Sequence, residues 1–213
     1  MTLPEGVTRR QFDGQPSLAT RGESIGEEAT DGQWRRWDPN RSKVAAMIEL
    51  GMEVDLAAED GVLYLGAASG TTVSHVADIA GPTYAVEFAP RPLRDLIPVA
   101  ENRPRLFPIL ADARRPDSYA HVVESGLDVL IQDVATTDQA AVAVDNAVFL
   151  APEGTLLLAI KARSEDVTRD PGAIFEQALD TLESAYEVRE SRSLEPYHEA
   201  HLAVRASRRS TRI

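Results

Sequence analysis

The sequence predicts an α/β fold built on a doubly wound, mostly parallel sheet. Short apolar runs alternate with segments of helical periodicity, and each run ends on a glycine or a polar residue. Strands that alternate with helices in this way form βαβ units, whose parallel sheet is covered on both faces. The last two apolar segments, residues 186–191 and 200–206, pair most simply as a closing antiparallel element.

The N-terminal 38 residues differ from the rest because they are rich in Gly, Glu, Gln and Thr. We predict a small β-rich extension without a core of its own, and we assign no function to it. A helix is expected to begin at Asp38-Pro39, since proline suits the first helical position. Apolar residues at helical spacing follow from Val44 to Met52.

Five apolar runs then predict the parallel strands, at residues 62–65, 83–86, 106–110, 127–131 and 155–160. Helices are predicted at residues 72–80, 91–102, 137–150 and 174–184. The carboxyl ends of the strands carry Gly66, Glu87, Asp112, Asp133 and Lys161. Ligands of doubly wound sheets bind outside these ends, so a binding site is predicted there.

Lysine is rare in this chain, which carries Lys43 and Lys161 as its two lysines beside twenty arginines. Arginine supplies surface positive charge, but its guanidinium cannot be deprotonated, whereas the pKa of a lysine can move on burial. A requirement for an amine at these two positions and a simple compositional drift both account for the pattern.

Composition excludes several classes of site. The absence of cysteine rules out disulfides, thiolate metal ligands and cysteine nucleophiles. No run reaches the roughly 20 apolar residues that span a bilayer, and residues 1–5 lack a signal pattern, so a cytoplasmic protein without membrane contact is expected.

The net charge of −12 and the pI near 4.8 argue against binding to nucleic acid at first sight. However, many acidic residues with few lysines resemble the proteins of salt-accumulating halophiles. At molar salt the Debye length is only about 3 Å, so the repulsion between an acidic protein and RNA is screened. Local arginine clusters then matter more, and they lie at residues 35–41, 103–115 and 205–212.

The strand ends indicate the cofactor. The loop Gly66–Gly70 is either a tight turn or a place where a ligand approaches the backbone. Glu87, 21 residues after Gly66, suits the ribose hydroxyls of an adenosine, and Asp112-Ala113 suits the adenine amino group. Nicotinamide cofactors also contain adenosine, but the chain lacks the full G-x-G-x-x-G cradle for a pyrophosphate. The pattern therefore favours S-adenosylmethionine.

Asp133 and Lys161 would face the reacting end of this cofactor, or they form a structural ion pair. His201 alone is more typical of a structural histidine. Longer stretches are shared with a known family: WDPNRSK (37–43), LYLGAASGTT (63–72), YAVEF (84–88), RPLRD (91–95), ILADAR (109–114), QDVA (132–135), IKAR (160–163) and LEPY (194–197) with His201. On these stretches, residues 31–206 resemble the fibrillarin family.

The resemblance implies a class I methyltransferase (Rossmann-like) fold with a final antiparallel strand and a small β-rich N-terminal part. It implies transfer of a methyl group from S-adenosylmethionine to ribose 2′-oxygens of rRNA, and of tRNA. It also implies a box C/D guide RNA, a Nop-domain scaffold protein and a kink-turn-binding ribosomal-type protein as partners. We accordingly divide the chain into an extension (1–38), a methyltransferase domain (39–206) and a basic tail (207–213).

Site residues follow from the matching motifs. The catalytic set that the resemblance implies is Lys43, Asp133, Lys161 and His201. The cofactor-binding set is Gly66, Ala67, Thr71, Thr72, Glu87, Phe88, Asp112, Ala113, Asp133, Val134, Ala135 and Thr136. Thr136-Thr137 depart from the family's usual Gln-Pro, so any contact that the glutamine makes is in doubt here.

We hypothesise that Lys161 orients or activates the 2′-oxygen, that Asp133 holds Lys161, and that Lys43 and His201 complete the polar ring. The sequence does not identify the general base. Two alternatives stay open, a small-molecule methyltransferase on the same fold and a non-catalytic scaffold subunit. The complete Lys-Asp-Lys-His set argues against the second.

Overall fold

The computed structural model describes residues 3–210 as a small sheet, a large sheet and six helices. The small antiparallel sheet has the order β1-β2-β4-β3 and consists of β1 (Thr8–Phe12), β2 (Gln15–Arg21), β3 (Thr30–Asp31) and β4 (Trp34–Trp37). The helices are α1 (Lys43–Glu49), α2 (Val73–Ile79), α3 (Pro90–Glu101), α4 (Gln139–Asn146), α5 (Ala162–Glu165) and α6 (Pro171–Leu182).

The large sheet has the predicted doubly wound topology. Its strands are β5 (Val62–Leu65), β6 (Thr83–Glu87), β7 (Leu106–Leu110), β8 (Leu127–Gln132), β9 (Leu150–Lys161), β10 (Tyr186–Ser193) and β11 (His201–Arg208). Their order is β10-β11-β9-β8-β5-β6-β7, with β5 to β9 parallel and the last two strands antiparallel. The chain leaves β5 toward β6 on one side and later returns to β8 on the other. The crevice between β5 and β8 is therefore the switch point of the sheet.

The core consists of two apolar clusters, one on each face of the large sheet. One cluster combines strand residues with α4 and α6, and the other combines them with α1, α2 and α3. Leu18 and Trp37 of the small sheet are fully buried in the second cluster. The extension thus packs against the core of the larger part of the chain.

Several boundaries differ from the predicted ones. The helix expected at Pro39 begins at Lys43, because Asp38 starts a turn and the Ser42 hydroxyl caps the helix by accepting the N–H of Ala45. The helix predicted over 137–150 ends at Asn146, and β9 begins at Leu150 instead of residue 155.

The predicted basic tail is in part a strand. The first residues of the tail continue β11 to Arg208, whereas residues 211–213, with Arg212, lie outside the described residues. The division of the chain at residues 38 and 206 stays a prediction. In the described part of the chain, no helix combines the length and the apolarity that a bilayer crossing needs.

Candidate active site

The loops after β5 and β8 touch at the switch point of the sheet. Gly66 has a φ of +86°, and a Cβ on it would lie 2.2 Å from the carbonyl oxygen of Asp133. The N–H of Asp133 in turn donates to the carbonyl oxygen of Leu65 at 2.9 Å. No side chain fits between the two loops, so glycine is required at position 66.

A cavity of about 440 Å³ opens at this edge of the sheet. Nine of the predicted cofactor-binding residues line it, namely Gly66, Glu87, Phe88, Asp112, Ala113, Asp133, Val134, Ala135 and Thr136. Ala68, Val86, Ala111 and Arg114 complete the lining. A volume of this size is typical of sites that bind small molecules and cofactors.

Three predicted contact residues lie away from this lining. Ala67 is buried, and its N–H donates to the carbonyl oxygen of Val86 at 3.1 Å. Thr71 and Thr72 follow in the turn that leads into α2, where Thr72 is 9% exposed and lies beside the hydroxyl of Tyr64. Contacts of these three residues with a cofactor stay predictions.

The carboxylate of Glu87 is fixed by backbone N–H groups and keeps free acceptor sites. One oxygen accepts the N–H of Ala68 at 2.8 Å and the other accepts the N–H of Ala89 at 2.7 Å. An ionised carboxylate offers about four lone-pair positions, so each oxygen can accept a further hydrogen bond. Phe88, next in the chain, is 66% exposed and presents an apolar ring at the cavity.

Arg114 holds the carboxylate of Asp112 in a bidentate ion pair. The guanidinium approaches the two oxygens at 2.6 to 3.1 Å, and the N–H of Arg114 also bonds Asp112. These hydrogen bonds lower the pKa of Asp112 below its ordinary value. Sequence reasoning did not assign Arg114 to the site, although its place two residues after Asp112 was a usable signal.

Lys43, at the start of α1, reaches across to the end of β8. Its Nζ donates to a carboxylate oxygen of Asp133 at 2.8 Å, and the two side chains are 22% and 26% exposed. The hypothesis that Asp133 holds Lys161 is therefore wrong, because the partner of this carboxylate is Lys43. Lys43 and Asp133 lie 90 residues apart in the chain, so no local sequence pattern indicates that they pair.

Lys161 ends β9 directly opposite His201 of β11. Directly opposite residues of an antiparallel pair project to the same face of a sheet. The side chain of Lys161 is exposed, and its ammonium has no hydrogen-bonding or ion-pairing partner among residues 3–210. The structure thus brings Lys161 and His201 together and leaves the amine available.

The imidazole of His201 has a defined tautomer. Its Nδ1 lies 2.7 Å from the carbonyl oxygen of Glu199. A carbonyl oxygen only accepts, so Nδ1 carries the proton and the Nε2 of the neutral ring keeps a lone pair. Burial lowers the pKa of His201, the bond to Glu199 raises it in part, and the positive charge of Lys43 lowers it further.

His198 is a second histidine of this region that sequence reasoning did not assign to the site. Its ring centroid lies 5.7 Å from that of His201. Its Nε2 is buried and has no hydrogen-bond partner in the described chain. Burial and the nearby charge of Lys43 lower its pKa, so both histidines are kept neutral at neutral pH.

Comparisons with known proteins agree with this architecture. The fibrillarin family model matches residues 8–210. A protein of Halobacterium salinarum named fibrillarin-like rRNA/tRNA 2′-O-methyltransferase is 62% identical over 211 residues, which cover 98% of this chain and 100% of that protein. This halophile relative agrees with the halophile-like composition.

Solved structures show the same fold. Fibrillarin of Aeropyrum pernix with natively bound S-adenosylmethionine is 41% identical, with a TM-score of 0.83 and 94% of both chains covered. The fibrillarin chain of a fibrillarin/Nop5p complex is 38% identical, with a TM-score of 0.89, and covers 98% of this chain and 100% of that one. The chain therefore belongs to the fibrillarin family.

Proposed function

We propose that this protein transfers the methyl group of S-adenosylmethionine to ribose 2′-hydroxyls of rRNA and tRNA. The observation that carries the proposal is a cavity with adenosine-type acceptors. Asp133 of its lining also pairs with Lys43, and nearby lie a neutral histidine and Lys161, whose ammonium has no partner within residues 3–210. The name of the Halobacterium relative and the cofactor bound by the Aeropyrum relative support it.

The cavity residues fit the cofactor. Glu87 keeps acceptor sites for the two ribose hydroxyls, and the exposed ring of Phe88 can cover a flat base. Asp112 can accept from an exocyclic amino group while Arg114 holds its charge. The turn at Gly66 leaves room for a ligand to approach the backbone. When bound, S-adenosylmethionine supplies a methyl group that its sulfonium has already activated.

The remaining task of the protein is to align a poor nucleophile and to accept one proton. Lys161 holds the 2′-oxygen, since its ammonium has no partner among residues 3–210 and it ends β9, the strand that pairs with the Asp133-bearing strand β8. His201 accepts the hydroxyl proton at Nε2, the nitrogen that its contact with Glu199 leaves unprotonated. Lys43 and Asp133 neutralise one another, so they can hydrogen-bond the ribose without adding net charge.

The choice of nucleotide requires partners. With a net charge of −12, the chain has little sequence-independent attraction for phosphates. We propose that a box C/D guide RNA selects the target nucleotide by base pairing. A Nop-domain scaffold and a kink-turn-binding ribosomal-type protein would deliver the paired RNA to the open strand ends. The Nop5p complex of a fibrillarin relative supports the scaffold.

The deciding experiment is transfer of tritiated methyl groups by the chain assembled with guide RNA, scaffold and kink-turn protein. We expect methylation of a target with a ribose at the paired nucleotide and none of the matched 2′-deoxyribose target. The chain alone should bind S-adenosylmethionine normally and methylate naked RNA negligibly. Methylation of the deoxyribose target would exclude the 2′-oxygen as acceptor, and efficient guide-independent transfer would refute the proposed partners.

A further inference from the structure

A buried glutamine of α4 holds the end of β9. β8 pairs with β9 as far as Gln132 and Leu158, so it ends before it reaches Lys161. At Lys161, the side-chain amide of Gln139 bonds both backbone groups. Its Oε1 accepts the N–H of Lys161 at 3.0 Å, and its Nε2 donates to the carbonyl oxygen of Lys161 at 3.1 Å. The side-chain amide of Gln139 thus takes the place of a neighbouring strand at the last residue of β9.

The pairing of β9 with β11 leaves the backbone groups of Lys161 free to bond Gln139. Lys161 lies opposite His201, but the hydrogen bond between the two strands is made next to it, from the N–H of Ala162 to Ala200 at 3.1 Å. In an antiparallel ladder, hydrogen-bonded and non-hydrogen-bonded pairs alternate. The N–H and C=O of Lys161 therefore point away from β11, and Gln139 satisfies both.

Glu165 fixes which way the amide of Gln139 faces. One carboxylate oxygen of Glu165 accepts both the N–H and the Nε2 of Gln139 at 2.8 Å, and the other accepts the N–H of Asp138 at 2.7 Å. Both hydrogens on Nε2 are then used, one by Glu165 and one by Lys161. A flipped amide would place Oε1 against two acceptors, so a single orientation is stable. Gln139 is fully buried, which removes water as a substitute partner.

Gln139 also contacts the end of the neighbouring strand. Its carbonyl oxygen accepts Nε2 of Gln132 at 2.7 Å, and Gln132 directly precedes Asp133. One residue therefore links the strand end that carries the Asp133–Lys43 pair to the strand end that carries Lys161.

We propose that Gln139 is a positioning residue, which sets the place of the Lys161 ammonium relative to the Asp133–Lys43 pair. The inference rests on the methyl-transfer function proposed above. The ammonium of Lys161 has no partner among residues 3–210, so the direction of its side chain depends on the backbone that Gln139 holds. Misplacement of a catalytic group by about 1 Å costs on the order of 100-fold in rate.

The test compares Gln139→Ala with Tyr186→Phe. Tyr186→Phe also removes a buried hydrogen bond to α4, from the Tyr186 hydroxyl to the carbonyl oxygen of Ala143 at 2.8 Å, but it leaves Lys161 untouched. In the assembled RNP, we expect Gln139→Ala to lower kcat about 10- to 100-fold with unchanged KM for S-adenosylmethionine and RNA. Tyr186→Phe should keep kcat within about twofold.

A second readout does not depend on activity. The chain has two lysines, so ¹⁵N-lysine labelling gives one backbone amide signal each for Lys43 and Lys161. In Gln139→Ala, hydrogen exchange of the Lys161 amide should accelerate, while that of Lys43 stays as in wild type. An unchanged Lys161 signal would refute the contact, and an unchanged kcat would refute the positioning role.

Glu165→Gln provides the same test if Gln139→Ala does not fold. This isosteric change removes the negative charge and one of the two acceptor oxygens, so the hydrogen bonds that orient Gln139 weaken. We expect the same signature with a smaller loss of kcat. A wild-type assembly that transfers no methyl group would refute the proposed function, whereas the Lys161 amide would still decide whether Gln139 holds the strand end.

Discussion

Two charged regions of the molecule differ in whether their charged groups remain available to a ligand. The first, the seam cluster, consists of Glu28, Arg35, His75, Asp78 and Arg103 and joins the small sheet to the larger part of the chain. The second is the strand-end site with Lys43, Asp133, Lys161 and His201. Both place charged groups beside histidine, but the seam cluster is almost closed to solvent and the strand-end site is open.

The seam cluster satisfies its charges internally. The side chain of Arg35 is fully buried and donates to Glu28, Asp78 and Ser74, each at 2.9 Å. Arg103 donates to the other oxygen of Asp78 at 2.8 Å. At the strand ends, by contrast, Lys43 and Asp133 are about one quarter exposed, and Lys161 has no ion-pair partner in the described part of the chain. Buried charges are tolerated when they are paired, so the seam cluster serves the fold, while the strand ends keep capacity for a substrate.

The largest expected effect is the loss of a buried cation from the seam cluster. Arg35→Met would remove the arginine that pairs with Glu28 and one of the two arginines that pair with Asp78, in a site that excludes water. We expect the free energy of unfolding to fall by about 3–5 kcal/mol. Urea unfolding followed by circular dichroism measures this, and the methylation rate per folded molecule should not change.

Arg9→Met is the matched control. Arg9 pairs with Glu49 through two hydrogen bonds of 2.7 and 2.8 Å, but its side chain is 44% exposed. A pair at the surface contributes roughly 0–1 kcal/mol. Equal destabilisation by the two variants would contradict the view that burial makes the seam cluster structural.

The opposite outcome is expected at the strand end. Lys161→Arg keeps the positive charge but replaces a compact ammonium with a wide planar fork, which places its N–H donors differently relative to the 2′-oxygen. We expect kcat to fall about 100-fold, the cost of misplacing a catalytic group by about 1 Å, with unchanged unfolding. Arg163→Lys, two residues away and on the surface, is the control. A Lys161→Arg enzyme with normal activity would refute an amine-specific role.

Sequence reasoning predicted the strands and most of the residues that line the cavity, because apolar runs that end on polar residues are a local pattern. It missed contacts that depend on side-chain reach. Asp133 was assigned to Lys161, its neighbour on the next strand, although Lys43 reaches it from α1. Gln139 was overlooked, since a glutamine after Asp138 reads as part of a solvated helix start. Its neighbours in the sequence, Ala140 to Val144, were the available signal for burial.

The third expected effect, intermediate in size, is a loss of cofactor affinity when Glu87 of the cavity is replaced. Glu87→Ala removes the acceptor that two backbone N–H groups hold in place. We expect calorimetry to show binding of S-adenosylmethionine weakened by about 1.5–3 kcal/mol, the range for hydrogen bonds to a charged group. Glu53→Ala, at an exposed residue that does not line the cavity, should bind as wild type does. Affinity of the wild type for NAD comparable to that for S-adenosylmethionine would contradict the assignment of the cavity.

The smallest expected effect is the pH dependence of stability, which should arise mainly from the seam cluster. His75 is buried in the seam cluster, with Nδ1 2.7 Å from the Thr20 hydroxyl and its ring stacked on Trp37. Burial lowers the pKa of His75 from 6.5 to about 4. Between these values the unfolded chain binds a proton that the folded chain does not, so stability falls as the pH falls through this window.

Between pH 7.5 and 5.5 the free energy of unfolding should fall by about 1 kcal/mol, because most of the range between the two pKa values of His75 lies below pH 5.5. Glu28, whose pKa is lowered to about 2 despite its burial, adds no slope in that range because its own window lies below pH 4.5. His75→Gln should therefore flatten the dependence of the unfolding free energy on pH, whatever it does to its absolute value. His201→Gln should reduce that slope less, because burial lowers the pKa of His201 in the same direction but by a smaller amount, and it should in addition lower kcat. A slope that is unchanged in His75→Gln would place the main titrating group outside the seam cluster.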